Sequence, residues 1–197
     1  MEKITKFFPT AQFAMELNQR INFALLKEGS RPANTLFACS VCPDEINHYP
    51  NSLNNRLSRV AGKCFYMGGL AGIPFIGKVG YNAFTSHMPY GGNLVILFAP
   101  HVGVTPEGNF GKFARDGQDF NDDACGAAVN SFRWLQQNQW EPQPNKNAPV
   151  VVPAGTDTFE YQAVYIREAL KPYFNQIQEA EEPMAELAFS MYEITQK

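Results

Sequence analysis

Two cysteines and one histidine of this chain have the side chains and the positions expected of metal ligands. Cys42 follows a short apolar run, His101 follows the most apolar stretch, and Cys125 precedes a predicted helix. A helix N-terminus favours the thiolate form of a cysteine, which is the form that binds metal. Two thiolates and one imidazole form a ligand set of catalytic zinc sites, in which water takes the fourth place. A buried cysteine is also often just a small core residue, so spacing alone indicates zinc only weakly.

The segment 36–47 brings two thiols and two carboxylates together behind an apolar run. Cys42 and Asp44 suit one active centre, in which the cysteine binds a metal and the carboxylate accepts a hydrogen bond. A second interpretation pairs Cys39 with Cys42, because a C-x-x-C between a strand and a helix is typical of thioredoxin-type redox proteins. A zinc knuckle would need a second C-x-x-C or a histidine pair, and the sequence contains neither.

The glycine-rich stretch from Gly68 to Gly80 has two interpretations. Its backbone N–H groups could hold a phosphate, although neither G-x-x-x-x-G-K-[ST] nor G-x-G-x-x-G occurs in the stretch. Alternatively, the glycines let apolar neighbours approach a second backbone. Such packing would suit an apolar wall for a small neutral substrate or a subunit interface.

Length and composition predict a single domain over residues 1–197. The chain is 45% hydrophobic and 18% charged, which is enough apolar material for a sizeable core. A net charge of −3 without a basic arm argues against nucleic acid or a membrane surface as a partner. The sequence has no apolar run of membrane-spanning length and no stretch like a secretory signal. Four cysteines are too few for a disulfide scaffold, so we expect a soluble protein in a reducing, cytoplasmic compartment.

Apolar patterning predicts an α/β fold with a short, mostly parallel sheet flanked by helices. The runs at 35–38 and 93–99 do not alternate with polar residues, which is typical of strands buried on both faces, and the second is expected to be central. The remaining predictions are short strands at 63–67 and 148–153, loops at 105–124 and 138–147, and helices at 5–28, 45–61, from 81, 125–139, 159–179 and 182–195.

Six short motifs occur in a fixed order between residues 35 and 132. They are Cys42-Pro-Asp44, Gly68-Gly-Leu-Ala-Gly72, Gly91-Gly-Asn-Leu94, Pro100-His-Val-Gly103, Arg115-Asp-Gly-Gln118 and Cys125-Gly-Ala-Ala128. With them the chain resembles the limiting-CO2-inducible B/C family of algal carbon-concentrating proteins and its bacterial relatives, which are carbonic anhydrases with a β-type site. The resemblance implies a β-carbonic-anhydrase-like fold, a homodimer, and a zinc ion (Zn2+) held by Cys42, His101 and Cys125.

The resemblance also implies a lyase activity, the reversible hydration of CO2 to bicarbonate by a metal-bound hydroxide. Asp44 would accept the proton of that hydroxide in a hydrogen bond. Ordinary β-type enzymes have an arginine two residues after this aspartate, but Ile46 stands there in this chain. An arginine from elsewhere must then keep Asp44 ionised, and Arg115 is our choice over the other candidates. The rivals are Arg20, Arg56 and Arg59, and His87 is a candidate proton relay.

Two other functions remain open on the sequence. One is a thiol–disulfide redox protein that uses Cys39 and Cys42. The other is a catalytically silent CO2- or bicarbonate-binding protein of the same fold. Metal content separates the enzyme from the redox protein, and a CO2 hydration assay separates the enzyme from the silent binding protein.

Overall fold

The computed structural model describes residues 2–141 and 145–197 of the chain. The chain divides into two units, Met1–Ala99 and Pro100–Lys197. The prediction of one domain over 1–197 stays a prediction, and part of the predicted loop 138–147 lies outside the described residues. Within the described ranges, no helix combines the length and the apolar character needed to cross a membrane.

A three-stranded parallel sheet forms the centre of the first unit. Strand β1 (Thr35–Val41) lies between β2 (Cys64–Tyr66) and β3 (Asn93–Ala99). Six of the seven β1 residues are buried, as a continuous apolar run predicts for a strand covered on both faces. The α/β prediction with a short parallel sheet flanked by helices is confirmed. The expectation that β3 would be central is wrong, because β1 takes that place.

Prolines divide two of the predicted helices in this unit. The helix expected at 5–28 is two helices on either side of Pro9. The segment 45–61 was expected to be helical with a break near Pro50, and the structure has that break. Proline lacks the N–H that a continuous helix needs. The helices are α1 (Glu2–Phe7), α2 (Ala14–Lys27), α3 (Leu53–Ala61) and α4 (Gly77–Ser86), with one-turn 3₁₀ helices at Glu45–Asn47 and Leu70–Gly72.

The two faces of β1 contribute to two separate core clusters. Phe37, Cys39 and Val41 pack with Leu57 and Ala61 of α3. The residue between the first two, Ala38, packs with the opposite cluster of Met67 and Phe84. This alternation follows from the two-residue period of a strand.

The second unit is mainly helical and contains one antiparallel hairpin, made of β4 (Lys112–Ala114) and β5 (Asn121–Asp123). The sequence predicted a loop there, because three-residue strands are too short to show a period. The strand expected at 148–153 is wrong, since that segment is irregular and contains two prolines, which cannot donate to a ladder. The helices are α5 (Gly126–Gln137), α6 (Tyr161–Leu170), α7 (Phe174–Glu179) and α8 (Pro183–Thr195), with a 3₁₀ turn at Lys171–Tyr173.

Helix α5 packs against α6 and α8, and α7 packs against α8. The buried residues of α5 lie at helical spacing, among them Val129, Phe132 and Leu135. The helix begins directly after Cys125, so its packing fixes the position of that residue in the second unit.

Candidate metal centre

Cys42 is the first residue beyond β1, and its side chain is only 3% exposed. Its carbonyl oxygen accepts a hydrogen bond from Nδ2 of Asn47 at 3.3 Å. The Nε2 atom of His48 lies at the same distance and donates to this oxygen in the tautomer that carries hydrogen there. Side chains of the following turn therefore hold the backbone of Cys42 in place.

Gly68 lies against the end of β1, where no larger residue fits. A Cβ atom at this position would lie 2.3 Å from the carbonyl oxygen of Val41 and 2.6 Å from its nitrogen. Nearby, the buried hydroxyl of Ser40 donates to the carbonyl oxygen of Gly72 at 2.8 Å. These contacts favour packing as the role of the glycine-rich stretch and support the strand end that leads to Cys42.

Backbone hydrogen bonds position His101 and Cys125 within the second unit. The N–H of Gly103 donates to the carbonyl oxygen of Ala124 at 2.6 Å. The N–H of Gly111 donates to the carbonyl oxygen of Gly103 at 2.9 Å, and the carbonyl oxygen of Gly111 accepts the N–H of Ala124 at 3.0 Å. These bonds join the segment after His101 to the residue before Cys125.

Cys125 is the N-terminal cap residue of α5 and is 1% exposed. Its carbonyl oxygen accepts the N–H of Val129 at 3.0 Å, which is the first bond of the helix. The thiol therefore stands at a helix N-terminus, as the sequence predicts, and that position favours a thiolate.

Asp123, two residues before Cys125, is held by two cations. Its Oδ1 atom lies 2.7 Å from Nζ of Lys112 and accepts from Nη2 of Arg133 at 3.0 Å, while Nη1 of Arg133 donates to Oδ2. Burial acts to raise the pKa of Asp123, but the hydrogen bonds and charges of Arg133 and Lys112 outweigh burial and lower it. The ionised carboxylate thus fixes the end of β5 beside Cys125.

Sequence reasoning missed this clamp on Asp123. It placed Asp123 in the predicted loop 105–124 and assigned no role to Lys112 or Arg133. The hairpin and α5 bring these residues together. No sequence motif and no hydrophobic period predicts such a contact.

The ligand atoms of Cys42, His101 and Cys125 all lie within 4.8 Å of one another. The two cysteines are buried and the histidine is half-buried. Sulfur and nitrogen ligands of one tetrahedral zinc, bound at about 2.3 and 2.0 Å, lie roughly 3.5–4 Å apart. The donor types and their spacing fit zinc, and the structure brings together the three residues that the sequence grouped.

Asp44 begins the 3₁₀ turn Glu45–Asn47. Its Oδ1 atom accepts the N–H of Ile46 at 3.4 Å, which orients the carboxylate at the start of the turn. The position two residues after Cys42 is the one that the sequence proposed for a hydrogen-bond acceptor.

Arg115 directly follows β4 in the hairpin. Its guanidinium lies over the ring of Phe113, 5.7 Å from the ring centre, and Nη1 lies 4.0 Å from Oδ2 of Asp122. The side chain is 21% exposed. The pairing of Arg115 with Asp44 stays a prediction.

Among the rival arginines, Arg56 forms hydrogen bonds with Asn51, which lies just before the start of its own helix α3. Its Nε and Nη2 atoms donate to the backbone and side-chain oxygens of Asn51 at 2.9 and 3.1 Å. Arg20 lies on α2 and Arg59 on α3. His87, the candidate relay, is an exposed residue that caps the C-terminus of α4.

The C-x-x-C segment does not use its cysteines as the redox interpretation expects. Cys39 lies with its sulfur 2.7 Å from that of Cys64 on β2, while Cys42 belongs to the group with His101 and Cys125. None of the four cysteines, all of which lie in the described part of the chain, is in a disulfide.

The profile of a protein family described as limiting CO2-inducible proteins B/C beta carbonic anhydrases matches residues 11–197. No curated protein matches the chain. Among solved structures, PtLCIB4, a homolog of the limiting CO2-inducible protein LCIB, is 34% identical with a TM-score of 0.84, and the match covers 99% of this chain and 75% of that one. A serine-to-arginine mutant of PtLCIB4 is 33% identical with a TM-score of 0.78, over 99% and 76% of the two chains. LCIB itself is 19% identical over 97% and 74% of the two chains with a TM-score of 0.69, which shows a shared fold.

Proposed function

Since the chain belongs to the family of limiting CO2-inducible proteins B/C beta carbonic anhydrases, we propose that it is a zinc-dependent carbonic anhydrase that interconverts CO2 and bicarbonate. The observation that carries this proposal is the group of Cys42, His101 and Cys125, whose ligand atoms lie within 4.8 Å of one another. Two cysteines and one histidine are a catalytic zinc set that leaves one coordination position open. When bound, zinc lowers the pKa of a coordinated water to about 7 and so supplies a nucleophile for CO2 at neutral pH.

The proposed ligands are held by contacts that do not involve a metal. Asn47 and His48 contact the carbonyl oxygen of Cys42. The Gly103–Ala124 hydrogen bond positions the segments that carry His101 and Cys125. Ligands that the fold already orients lose little conformational freedom when a metal binds.

We assign Asp44 the role of hydrogen-bond acceptor and Arg115 the role of its partner. A carboxylate acts only as an acceptor while it is ionised, and a nearby guanidinium favours the ionised form. Asp44 would accept the proton of the nucleophile in a hydrogen bond and so direct its lone pair at CO2. The separation of only two residues from Cys42 supports this assignment.

The proposal includes a homodimer in the cytoplasm, with neither nucleic acid nor membrane as a partner. Helix α2 contains no buried residue, and it exposes the large apolar side chains of Met15, Phe23 and Leu26. Exposed apolar surface of this kind marks interaction sites. Sedimentation at micromolar concentration should give twice the chain mass, and a monomer would contradict the dimer.

Metal analysis combined with stopped-flow CO2 hydration tests the enzyme. We expect one zinc per chain, and we expect the activity to disappear with a chelator and return with zinc. Cys42→Ala, His101→Ala and Cys125→Ala should each lose metal and activity together, while Cys64→Ser serves as the matched thiol control. Full zinc without hydration would support the silent CO2- or bicarbonate-binding protein instead, and protein that takes up no zinc would refute the proposal.

A further inference from the structure

Two thiols outside the proposed metal centre lie against each other in the sheet of the first unit. The sulfur atoms of Cys39 on β1 and Cys64 on β2 are 2.7 Å apart. This distance is shorter than a packing contact between two sulfur atoms. Both residues are free cysteines in the structure.

We propose that Cys39 and Cys64 form a reversible intrachain disulfide, so that the pair is a thiol–disulfide modification site. Closing the sulfurs from 2.7 Å to the bonded distance of roughly 2.05 Å requires little side-chain movement. The proposal goes beyond carbonic anhydrase activity and does not depend on it.

The strand register places the two thiols on the same face of the sheet. β1 and β2 pair Phe37 with Cys64 and Cys39 with Tyr66, so the two cysteines are diagonal neighbours two residues out of register. Disulfides that a thiol can reach from solvent are the more easily reduced ones, and Cys64 is only half-buried.

Exposure decides which sulfur meets an oxidant first. Cys39 is fully buried, whereas Cys64 is half-buried and Tyr66, two residues on, is 60% exposed. With glutathione disulfide as the oxidant, Cys39 first releases its own proton to solvent. Cys64 then attacks one glutathione sulfur while the Cys39 thiolate takes the proton of Cys64, and the first glutathione leaves as a thiolate that takes up a proton from solvent. Cys39 then loses the proton it received and attacks the sulfur of Cys64, and the second glutathione leaves as a thiolate that takes up this proton. The two cysteines lose two electrons in total, and glutathione disulfide gains them.

The acid–base properties of the pair agree with this order of steps. The hydrogen bond from Cys64 lowers the pKa of Cys39 despite burial, and the same hydrogen bond, with burial, raises the pKa of Cys64. Cys39 is therefore the thiolate of the reduced pair, and it can take the proton of Cys64 in the first attack.

The test is to equilibrate the zinc-loaded full chain with glutathione and glutathione disulfide at increasing ratios of the oxidised form. After an acid quench and alkylation with iodoacetamide, peptide mass spectrometry identifies the state of each thiol. We expect the Cys39 and Cys64 peptides to become cross-linked, with the loss of two hydrogens, and dithiothreitol to restore both thiols. Cys42 and Cys125 should be recovered alkylated after denaturation.

Two variants separate the steps. Cys64→Ser should give neither a glutathione adduct nor a disulfide at these positions, because the accessible thiol is gone. In the Cys39→Ser variant, oxidation should stop at a mixed disulfide between glutathione and Cys64. If circular dichroism shows that this variant is unfolded, Cys39→Ala is used in its place. The proposal is overturned if both thiols remain alkylatable at the most oxidising ratio, or if Cys39 is found joined to Cys42. Neither readout depends on CO2 hydration.

Discussion

The backbone N–H of Gly103 donates to the carbonyl oxygen of Ala124 at 2.6 Å, and this bond sets His101 beside Cys125. A Cβ atom on Gly103 would lie 2.6 Å from the carbonyl oxygen of Lys112 and 2.9 Å from Cβ of Ala124. The glycine is required because two backbone segments meet there. Two of the three proposed ligands thus owe their positions to a residue that binds no metal.

Gly103→Ala should therefore weaken zinc binding without removing a ligand. Overpacking costs about 1–3 kcal/mol of stability, and changes behind a metal ligand typically lower affinity about 10–100-fold. Competition with a chromophoric chelator measures the affinity. Gly126→Ala is the matched control, because it also adds a methyl group near a proposed ligand and its Cβ atom would meet nothing within 4 Å. Equal zinc affinity in the two variants would contradict the positioning role of Gly103.

Arg115→Gln should keep zinc and lose most of the CO2 hydration rate. We expect a fall in kcat of about 100-fold or more, the usual contribution of a positioned proton acceptor, since Asp44 would lose its counter-charge. Arg115→Lys retains the charge and should recover part of the rate. Arg56→Gln is the control, because that guanidinium is bonded to Asn51. If the Arg56 variant loses the rate and the Arg115 variant keeps it, the assigned partner of Asp44 is wrong.

Asp123→Asn should destabilise the protein by about 1–2 kcal/mol, because the charged hydrogen bonds of Asp123 to Lys112 and Arg133 are weakened. The value is at the low end for hydrogen bonds to charged groups, since the side chains of Lys112 and Arg133 are partly exposed. Urea unfolding of the zinc-free protein measures the effect, since bound metal would add its own stabilisation. Asp122→Asn is the control. The Asp122 side chain is 52% exposed, and its Oδ1 atom accepts the N–H of Asp123, a bond that asparagine can keep. A similar loss of stability in both variants would show that the clamp on Asp123 contributes nothing specific.

The sequence was sufficient for the fold class because its strongest signals were apolar runs. The run at 93–99 became β3 with the predicted bounds, and the run at 35–38 became the start of β1. The order of the strands in the sheet could not be predicted in this way. An apolar run indicates that a strand is buried, but it does not indicate which other strands pair with it. The hairpin of β4 and β5 was missed because strands of three residues show no period.

The candidate site was partly predictable for a related reason. Cys42, His101 and Cys125 all stand at the ends of regular elements, where side chains can meet. The supporting contacts of Gly103 and Asp123 depend on the hairpin, so no linear pattern contains them.

The reactivity of Cys64 should depend on Cys39. In the reduced protein, the hydrogen bond to Cys39 and then burial raise the pKa of Cys64, so little thiolate is present at neutral pH and alkylation is slow. Cys39→Ala removes the hydrogen bond, so the pKa of Cys64 should fall towards its ordinary value of about 8.5. More thiolate is then present at a given pH, and iodoacetamide should react several-fold faster at pH 8, with a pH profile shifted to lower values. The denatured proteins are the control, since Cys64 should react equally in both. An unchanged profile in the folded variant would show that the two thiols do not share a proton.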